Sequence, residues 1–218
     1  MMLRFRFFAI ACLAVCATAG AWAQSSTNPN LNAQLLVASR QGDVTAVERA
    51  LAQGAAPNSR NRLGKTPLLI AAEKGNVRMA EVMLRAGADV NQDSLERVTP
   101  LMAACYGGHA ELVRLLLDAG AHVEPIDRMK KPAIVYAAGL GRVDVLTLLL
   151  DRGVPVNAAY DNQLTALMWA AGQGQATAVK LLLQRGADPD LRDERGMTAA
   201  QIAVQAGHAD VGALINGR

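Results

Sequence analysis

Aromatic side chains are scarce in this chain of 218 residues, at 4%, although hydrophobic residues of all kinds make up 51%. The apolar content is therefore mainly Ala, Leu and Val, which favours closely packed helices over a β-sandwich rich in aromatic and β-branched residues. An excess of one charge is also missing, since 22 Lys and Arg against 19 Asp and Glu give +3. Because nucleic-acid binders need a strong basic excess, we expect no nucleic-acid partner.

The N-terminus has the three-part layout of a secretory signal. Arg4 and Arg6 precede an apolar run at 7–17, and the small residues Ala21 and Ala23 fit the positions that a signal peptidase reads. The interpretation favours export of the chain. An uncleaved anchor is the alternative, although the apolar stretch is at the short limit for a bilayer of about 30 Å.

The expected organisation of the N-terminal part follows from this layout. We predict a signal peptide at 1–23, cleavage before Gln24, and a short linker at 24–31. No second long apolar segment follows, so we expect no stable membrane insertion after signal removal. Cleavage would also leave Cys105 as the single cysteine, so the exported chain has no internal disulfide and depends on packing.

Internal repetition at a step of 33 residues is the strongest pattern in the sequence. Five series of residues share this step and one register, without a single insertion. They are Gly42, Gly75, Gly108, Gly141, Gly174 and Gly207; Gly54, Gly87, Gly120, Gly153 and Gly186; Thr66, Thr99, Pro132, Thr165 and Thr198; Leu51, Leu84, Leu117, Leu150 and Leu183; and Asn58, Asn91, Glu124, Asn157 and Asp190.

Each unit of this length reads as two short helices and a loop. Thr66 and Pro67 predict a helix start, with a hydroxyl that caps free N–H groups and a proline at the first helical position. Gly75 then ends the first helix and Gly87 the second. We predict an all-α repeat solenoid of six stacked helix-turn-helix units, at about 32–60, 61–93, 94–126, 127–159, 160–192 and 193–218.

The unit resembles the ankyrin repeat. Thr66-Pro67-Leu68 and Thr99-Pro100-Leu101 match the opening of that repeat, and Gly87-Ala88-Asp89-Val90-Asn91 matches its close. The resemblance implies an ankyrin repeat domain at 32–218, with modified first and last units acting as caps. The family's usual His after Thr-Pro-Leu is replaced by Leu69, Met102, Val135, Met168 and Gln201, so we expect apolar contacts there in most units.

No catalytic or metal-binding pattern is found in the sequence, so we predict a protein that is not an enzyme and has no metal or other cofactor. His109 and His208 occupy the same repeat position but lie 99 residues apart, which is too far along a solenoid for shared coordination. Cys105 is interpreted as a buried structural thiol. Tyr136 and Trp169 share one repeat position in adjacent units, and we predict that they pack in the core.

The candidate partner-binding residues come from the resemblance, which implies that partners dock on the loop tips and on the exposed end of each first helix. Two features distinguish these positions: a charge gradient from basic tips to acidic tips along the chain, and apolar side chains next to Gly107, Gly139 and Gly172. The predicted residues are Arg62, Lys65, Leu95, Val98, Tyr106, Arg128, Met129, Lys131, Leu140 and Leu164.

The function expected from these observations is a non-enzymatic protein–protein interaction module, exported and periplasmic, that binds a protein partner on its concave face. Some exported bacterial members of the family are associated with oxidative-stress enzymes such as catalases, so the resemblance implies support of a stress-response enzyme. The alternative is a secreted, extracellular effector that binds host proteins. We expect a monomer, because stacking within one chain covers the apolar faces.

Overall fold

The computed structural model describes residues 28–217, and the predicted signal peptide at 1–23 lies outside this range. Twelve α-helices and one single-turn 3₁₀ helix at Asp161–Gln163 form this part of the chain. The α-helices are α1 (Pro29–Gln41), α2 (Val44–Ala52), α3 (Pro67–Lys74), α4 (Val77–Arg85), α5 (Pro100–Gly107), α6 (Ala110–Asp118), α7 (Ala133–Gly139), α8 (Val143–Asp151), α9 (Ala166–Gly172), α10 (Ala176–Gln184), α11 (Ala199–Gln205) and α12 (Ala209–Asn216). None of them combines the length and the hydropathy needed to cross a bilayer.

The helices form two layers, as expected for an all-α repeat solenoid. The first helices of the units (α1, α3, α5, α7, α9 and α11) pack side by side, and the second helices form a parallel layer behind them. Contacts between neighbouring first helices are closer than those between neighbouring second helices. The stack therefore curves, with the first helices on its concave side.

The starts of the first helices confirm the predicted capping. The hydroxyl oxygens of Thr66, Thr99, Thr165 and Thr198 accept the backbone N–H three residues later at 3.1–3.4 Å. Pro132 occupies the same position in the fourth unit and has no hydroxyl, so α7 begins without a side-chain cap. Loss of such a cap costs about 1 kcal/mol.

The N-terminal boundary of the helical stack differs from the predicted linker at 24–31. Helix α1 begins at Pro29, and the Asn28 side chain accepts the backbone N–H of Asn30 at 3.0 Å. Asn28 and Pro29 therefore start the helix with a capping residue followed by a proline, as Thr66-Pro67 and Thr99-Pro100 do, with a side-chain amide in place of the hydroxyl. Asn also favours turns, which is why these residues resemble a linker in the sequence.

Apolar residues fill the position at which the family usually has His, as the sequence predicts. Leu69, Met102 and Met168 are buried in the hydrophobic core between the two layers. Val135 is also buried. In the last unit the Gln201 side chain instead accepts the Thr198 backbone N–H at 2.9 Å. The last unit has no following unit to cover this position, and Gln201 there forms a capping box with Thr198 in place of a core contact.

A recurring contact between a glycine and the following unit fixes how adjacent units stack. Gly75 has a φ of +67°, and a Cβ placed on it would lie 2.5 Å from Nδ1 of His109, one unit later. Arg142, Gln175 and His208 approach the corresponding glycines of the units before them in the same way. Only a residue without a side chain allows this approach at these four positions. Gly42 and Gly207, at the two ends of the series, lack such a close contact and share only the positive φ.

Asparagines in the loops form a second link between units. The side-chain oxygen of each accepts a backbone N–H of the next unit, 31 residues later. At Glu124 the residue 31 positions later is Pro155, which has no N–H, so asparagine is not required there. The three bonds are Asp89 N–H to Asn58 (2.8 Å), His122 N–H to Asn91 (2.9 Å) and Asp188 N–H to Asn157 (2.8 Å).

Candidate functional site

The concave side of the middle units carries an aromatic groove made of two adjoining hollows. Both are lined by Tyr106 of α5, Tyr136 of α7 and Lys131 of the loop before α7. The first hollow, of about 570 Å³, is completed by Glu73, Val98, Met102, Ala103 and Met129. The second, of about 190 Å³, is completed by Val135, Gly139, Leu140, Trp169 and Gln173.

The second hollow arises because the residues at two repeat positions differ from those of the earlier units. Tyr136 and Trp169 stand where earlier units have Ile70 and Ala103, so large rings project from α7 and α9 at the edge of the core. One turn later, Gly139 leaves the surface bare between these rings. A Cβ on Gly139 would lie 3.9 Å from the Trp169 ring, and a larger side chain would fill the space.

Tyr106 lines both hollows and packs on Tyr136. Its ring contacts that of Tyr136 edge to face, with centroids 5.7 Å apart and an angle of 71° between the planes. This geometry is the favourable one for two aromatic rings and holds them in fixed orientations. Tyr106 nevertheless remains 58% exposed, so most of its apolar surface is free to contact another molecule.

Lys131 lies over the rings on the floor of the groove. Its ammonium group is 4.4 Å from the centroid of Trp169 and 5.9 Å from that of Tyr136. Both distances fit a cation–π interaction. Among residues 28–217 no carboxylate lies within ion-pair distance of this ammonium group.

Asp127 holds Lys131 and Tyr136 in place. This carboxylate is buried; one oxygen accepts the backbone N–H groups of Met129 at 2.8 Å and Lys131 at 2.9 Å, and the other accepts the Tyr136 hydroxyl. Burial of the Tyr136 phenol and its hydrogen bond to Asp127 raise the pKa of Tyr136 well above its usual value. One acidic side chain thus shapes the turn and positions the ring.

Half of the predicted partner-binding residues line the two hollows. They are Val98, Tyr106, Met129, Lys131 and Leu140. Leu164 lines a third hollow of about 350 Å³ on the other side of Trp169, between α9 and α11. Lys65 lies at the edge of the first hollow, where it forms a 2.6 Å ion pair with Glu73.

The other predicted residues lie at the loop tips, outside these hollows. Arg62 is exposed. Leu95 packs on Gly64, and its N–H donates to the Leu63 carbonyl at 3.1 Å. Arg128 donates its backbone N–H to the Glu96 carbonyl at 3.1 Å and pairs with the Glu96 side chain at 3.9 Å. Leu95 and Arg128 therefore link neighbouring tips.

One sequence interpretation is corrected here. Tyr136 and Trp169 are half-buried and line the groove, whereas they were predicted to pack in the core. The predicted charge gradient stays a prediction; cations and anions of neighbouring tips form ion pairs, Arg60 with Asp93 at 3.5 Å and Lys130 with Asp161 at 2.9 Å. The signal for the groove in the sequence is the aromatic pair one turn before Gly139 and Gly172.

The side chains considered for chemistry have structural contacts in this part of the chain. Cys105 is buried as predicted, and desolvation raises the pKa of its thiol, which therefore stays protonated. His109 and His208 pack against Gly75 and Gly174 of the preceding units. Within residues 28–217 no three His, Cys, Asp or Glu side chains come together in a metal-binding arrangement.

The fold and the groove define a helical-repeat scaffold with an extended concave surface, the kind of surface that such scaffolds use for binding. A family model described as "Ankyrin repeats (3 copies)" matches residues 35–127, 81–160 and 134–217, and the chain belongs to the ankyrin repeat family, whose repeats are general protein–protein interaction modules. The crystal structure of EF0377, an ankyrin repeat protein, is similar: 28% identity, TM-score 0.77, covering 86% of this chain and 98% of that one. No curated protein matches the chain significantly.

The Tyr136 hydroxyl provides a prediction that separates the two tyrosines of the groove. Tyr136→Phe removes a hydrogen bond to the buried Asp127 carboxylate and should lower the free energy of unfolding by about 1–3 kcal/mol. Tyr106→Phe changes an exposed ring and should alter it by less than about 0.5 kcal/mol. Equilibrium urea unfolding measures both, and equal effects would contradict the role of Asp127.

Proposed function

We propose that the chain is an exported, non-enzymatic binding module, located in the periplasm, whose aromatic groove holds a protein partner. The exposed apolar surface of the groove is the observation that carries this proposal. Tyr106 is 58% exposed, Met129 63% and Leu140 37%, and all three line adjoining hollows on the concave side. Clustered exposed apolar side chains of this kind mark interaction sites in soluble proteins.

The aromatic side chains of the groove are held by contacts within the chain before any partner arrives. Tyr136 is held by Asp127, Tyr106 packs edge to face on Tyr136, and Lys131 lies over Trp169. A side chain that is already fixed loses little conformational entropy on binding. Aromatic residues in such settings contribute most of the affinity at protein interfaces, so we expect Tyr106 to be the main anchor.

The nature of the partner is a further part of the proposal. The family resemblance points to support of a stress-response enzyme, and a folded enzyme offers the continuous surface that a groove spanning four units can contact. Photo-crosslinking in intact cells from a photoreactive amino acid at position 106 identifies the partner, with position 63 as the control. Leu63 has the same place in its loop as Met129, two units earlier, and does not line the hollows.

The first prediction of this proposal concerns affinity. Tyr106→Ala combined with Leu140→Ala should weaken binding of the crosslinked partner by at least about tenfold, because the main anchor is lost. The matched control is Leu63→Ala, which removes a side chain 60% exposed and should leave the affinity unchanged. Titration calorimetry with purified proteins measures both, and thermal unfolding checks that the variants stay folded. Equal affinities for all three proteins would reject this face.

The second prediction concerns location. Cell fractionation should place the chain in the periplasm, and mass spectrometry of the purified protein should show that it begins at Gln24. Recovery only from the culture supernatant would support the secreted effector that binds host proteins. Recovery from the cytoplasm with residues 1–23 intact would contradict export altogether.

A further inference from the structure

Lys131 is a cation at the boundary between two apolar hollows. It lines both of them, together with Tyr106 and Tyr136. Its side chain lies along the faces of two rings, which fixes the position of the ammonium group. An ammonium group carries three N–H donors, and ring faces are weak acceptors compared with a carboxylate. The group therefore remains able to bind an anion.

The carboxylates nearest to Lys131 have other partners. Glu73, which lines the first hollow, pairs with Lys65 at 2.6 Å. Asp127 is buried, and its two oxygens accept three hydrogen bonds, from the backbone of Met129 and Lys131 and from the Tyr136 hydroxyl. Of the charged side chains that line the two hollows, Lys131 is thus the one without an opposite charge in the described part of the chain.

We propose that the aromatic groove binds a protein segment that presents a carboxylate between two large apolar side chains. This inference rests on the proposed function and specifies which chemistry the partner offers. One apolar side chain occupies each hollow, and an Asp or Glu between them pairs with Lys131.

The sizes of the hollows fit this assignment. An apolar protein cavity of about 150 Å³ takes up a benzene molecule. The second hollow, of about 190 Å³, is therefore large enough for a Leu or Phe side chain. The first hollow, of about 570 Å³, accepts a larger group beside Met129 and Val98.

The position of Lys131 also gives selectivity. A carboxylate that reaches Lys131 in the groove is partly shielded from water, so its charge-assisted hydrogen bond is stronger than a surface ion pair. A Lys or Arg at the same place in the partner meets a like charge with no carboxylate free to balance it. Specificity here comes from both the attraction and the repulsion.

Selection of phage-displayed random peptides on the immobilised full chain tests the proposal. The enriched peptides should carry an Asp or Glu between two large apolar residues, and Tyr106→Ala should abolish the enrichment. An enriched peptide is then synthesised with Asp and with Asn at the acidic position. The Asn peptide should bind about tenfold more weakly, as expected for loss of a charge-assisted hydrogen bond.

Two lysine variants show whether Lys131 is responsible. Lys131→Met keeps an apolar side chain over Trp169 and should remove the preference for Asp over Asn. Lys130→Met, the matched control, changes the neighbouring lysine, which pairs with Asp161 at 2.9 Å and does not line the hollows, and should keep the preference. Thermal unfolding of both variants checks that each stays folded.

Three results would overturn the inference. Enriched peptides without an acidic residue, or an Asp preference that persists in Lys131→Met, would reject the proposed partner chemistry while leaving the proposed function intact. Absence of any enrichment that depends on Tyr106 would likewise reject the segment proposed here, whereas the proposed function fails only if Tyr106→Ala combined with Leu140→Ala leaves the affinity for the crosslinked partner unchanged. The failure of each proposal is thus distinguishable.

Discussion

A unit of two short helices cannot bury its own apolar face, so every unit of this protein depends on contact with the next. The closest of these contacts joins a glycine to the side chain that follows the equivalent glycine one unit later, as His109 does on Gly75. The contact sets the distance and register between layers. The threonine caps and the asparagine links in the loops recur at the same register.

The aromatic groove is a consequence of the same register. Because Tyr136 and Trp169 occupy one repeat position in adjacent units, stacking places their rings next to each other on the concave side. The core beneath them consists of small and aliphatic residues such as Ala137 and Ala170, which are fully buried. Exposed side chains of the groove such as Tyr106 can therefore differ between units without disturbing the core, whereas Tyr136 also contributes to stability through its bond to Asp127.

Much of the fold follows from local rules that are visible in the sequence. Thr66 and Pro67 start a helix, and Gly75 ends it, for reasons that involve only a few neighbouring residues. The side on which an aromatic residue emerges is a tertiary property. Tyr136 and Trp169 are apolar enough for the core. They lie at the edge of the core because the stack curves and because Gly139 has no side chain to fill the space beside them.

Contacts between loop tips show a second limit of the sequence. Lys130 and Asp161 lie 31 residues apart and appear as independent surface charges until stacking brings them to 2.9 Å. Lys130 also has a φ of +57° where the first and last tips have Gly64 and Gly196. A lysine in the sequence does not indicate this left-handed conformation. The hydrogen bonds of the turn to Asp127 impose the conformation on Lys130.

The contact between Gly75 and His109 tests the stacking model most directly. Gly75→Ala and Gly87→Ala both place a side chain at positive φ, but only the Cβ at position 75 meets the next unit, since Gly87 has open space around it. Urea unfolding should show that Gly75→Ala is less stable than Gly87→Ala by about 1–3 kcal/mol, as for other overpacked contacts. In a His109→Ala background the difference should disappear. Equal losses for the two glycines, or a difference that persists without His109, would contradict the account.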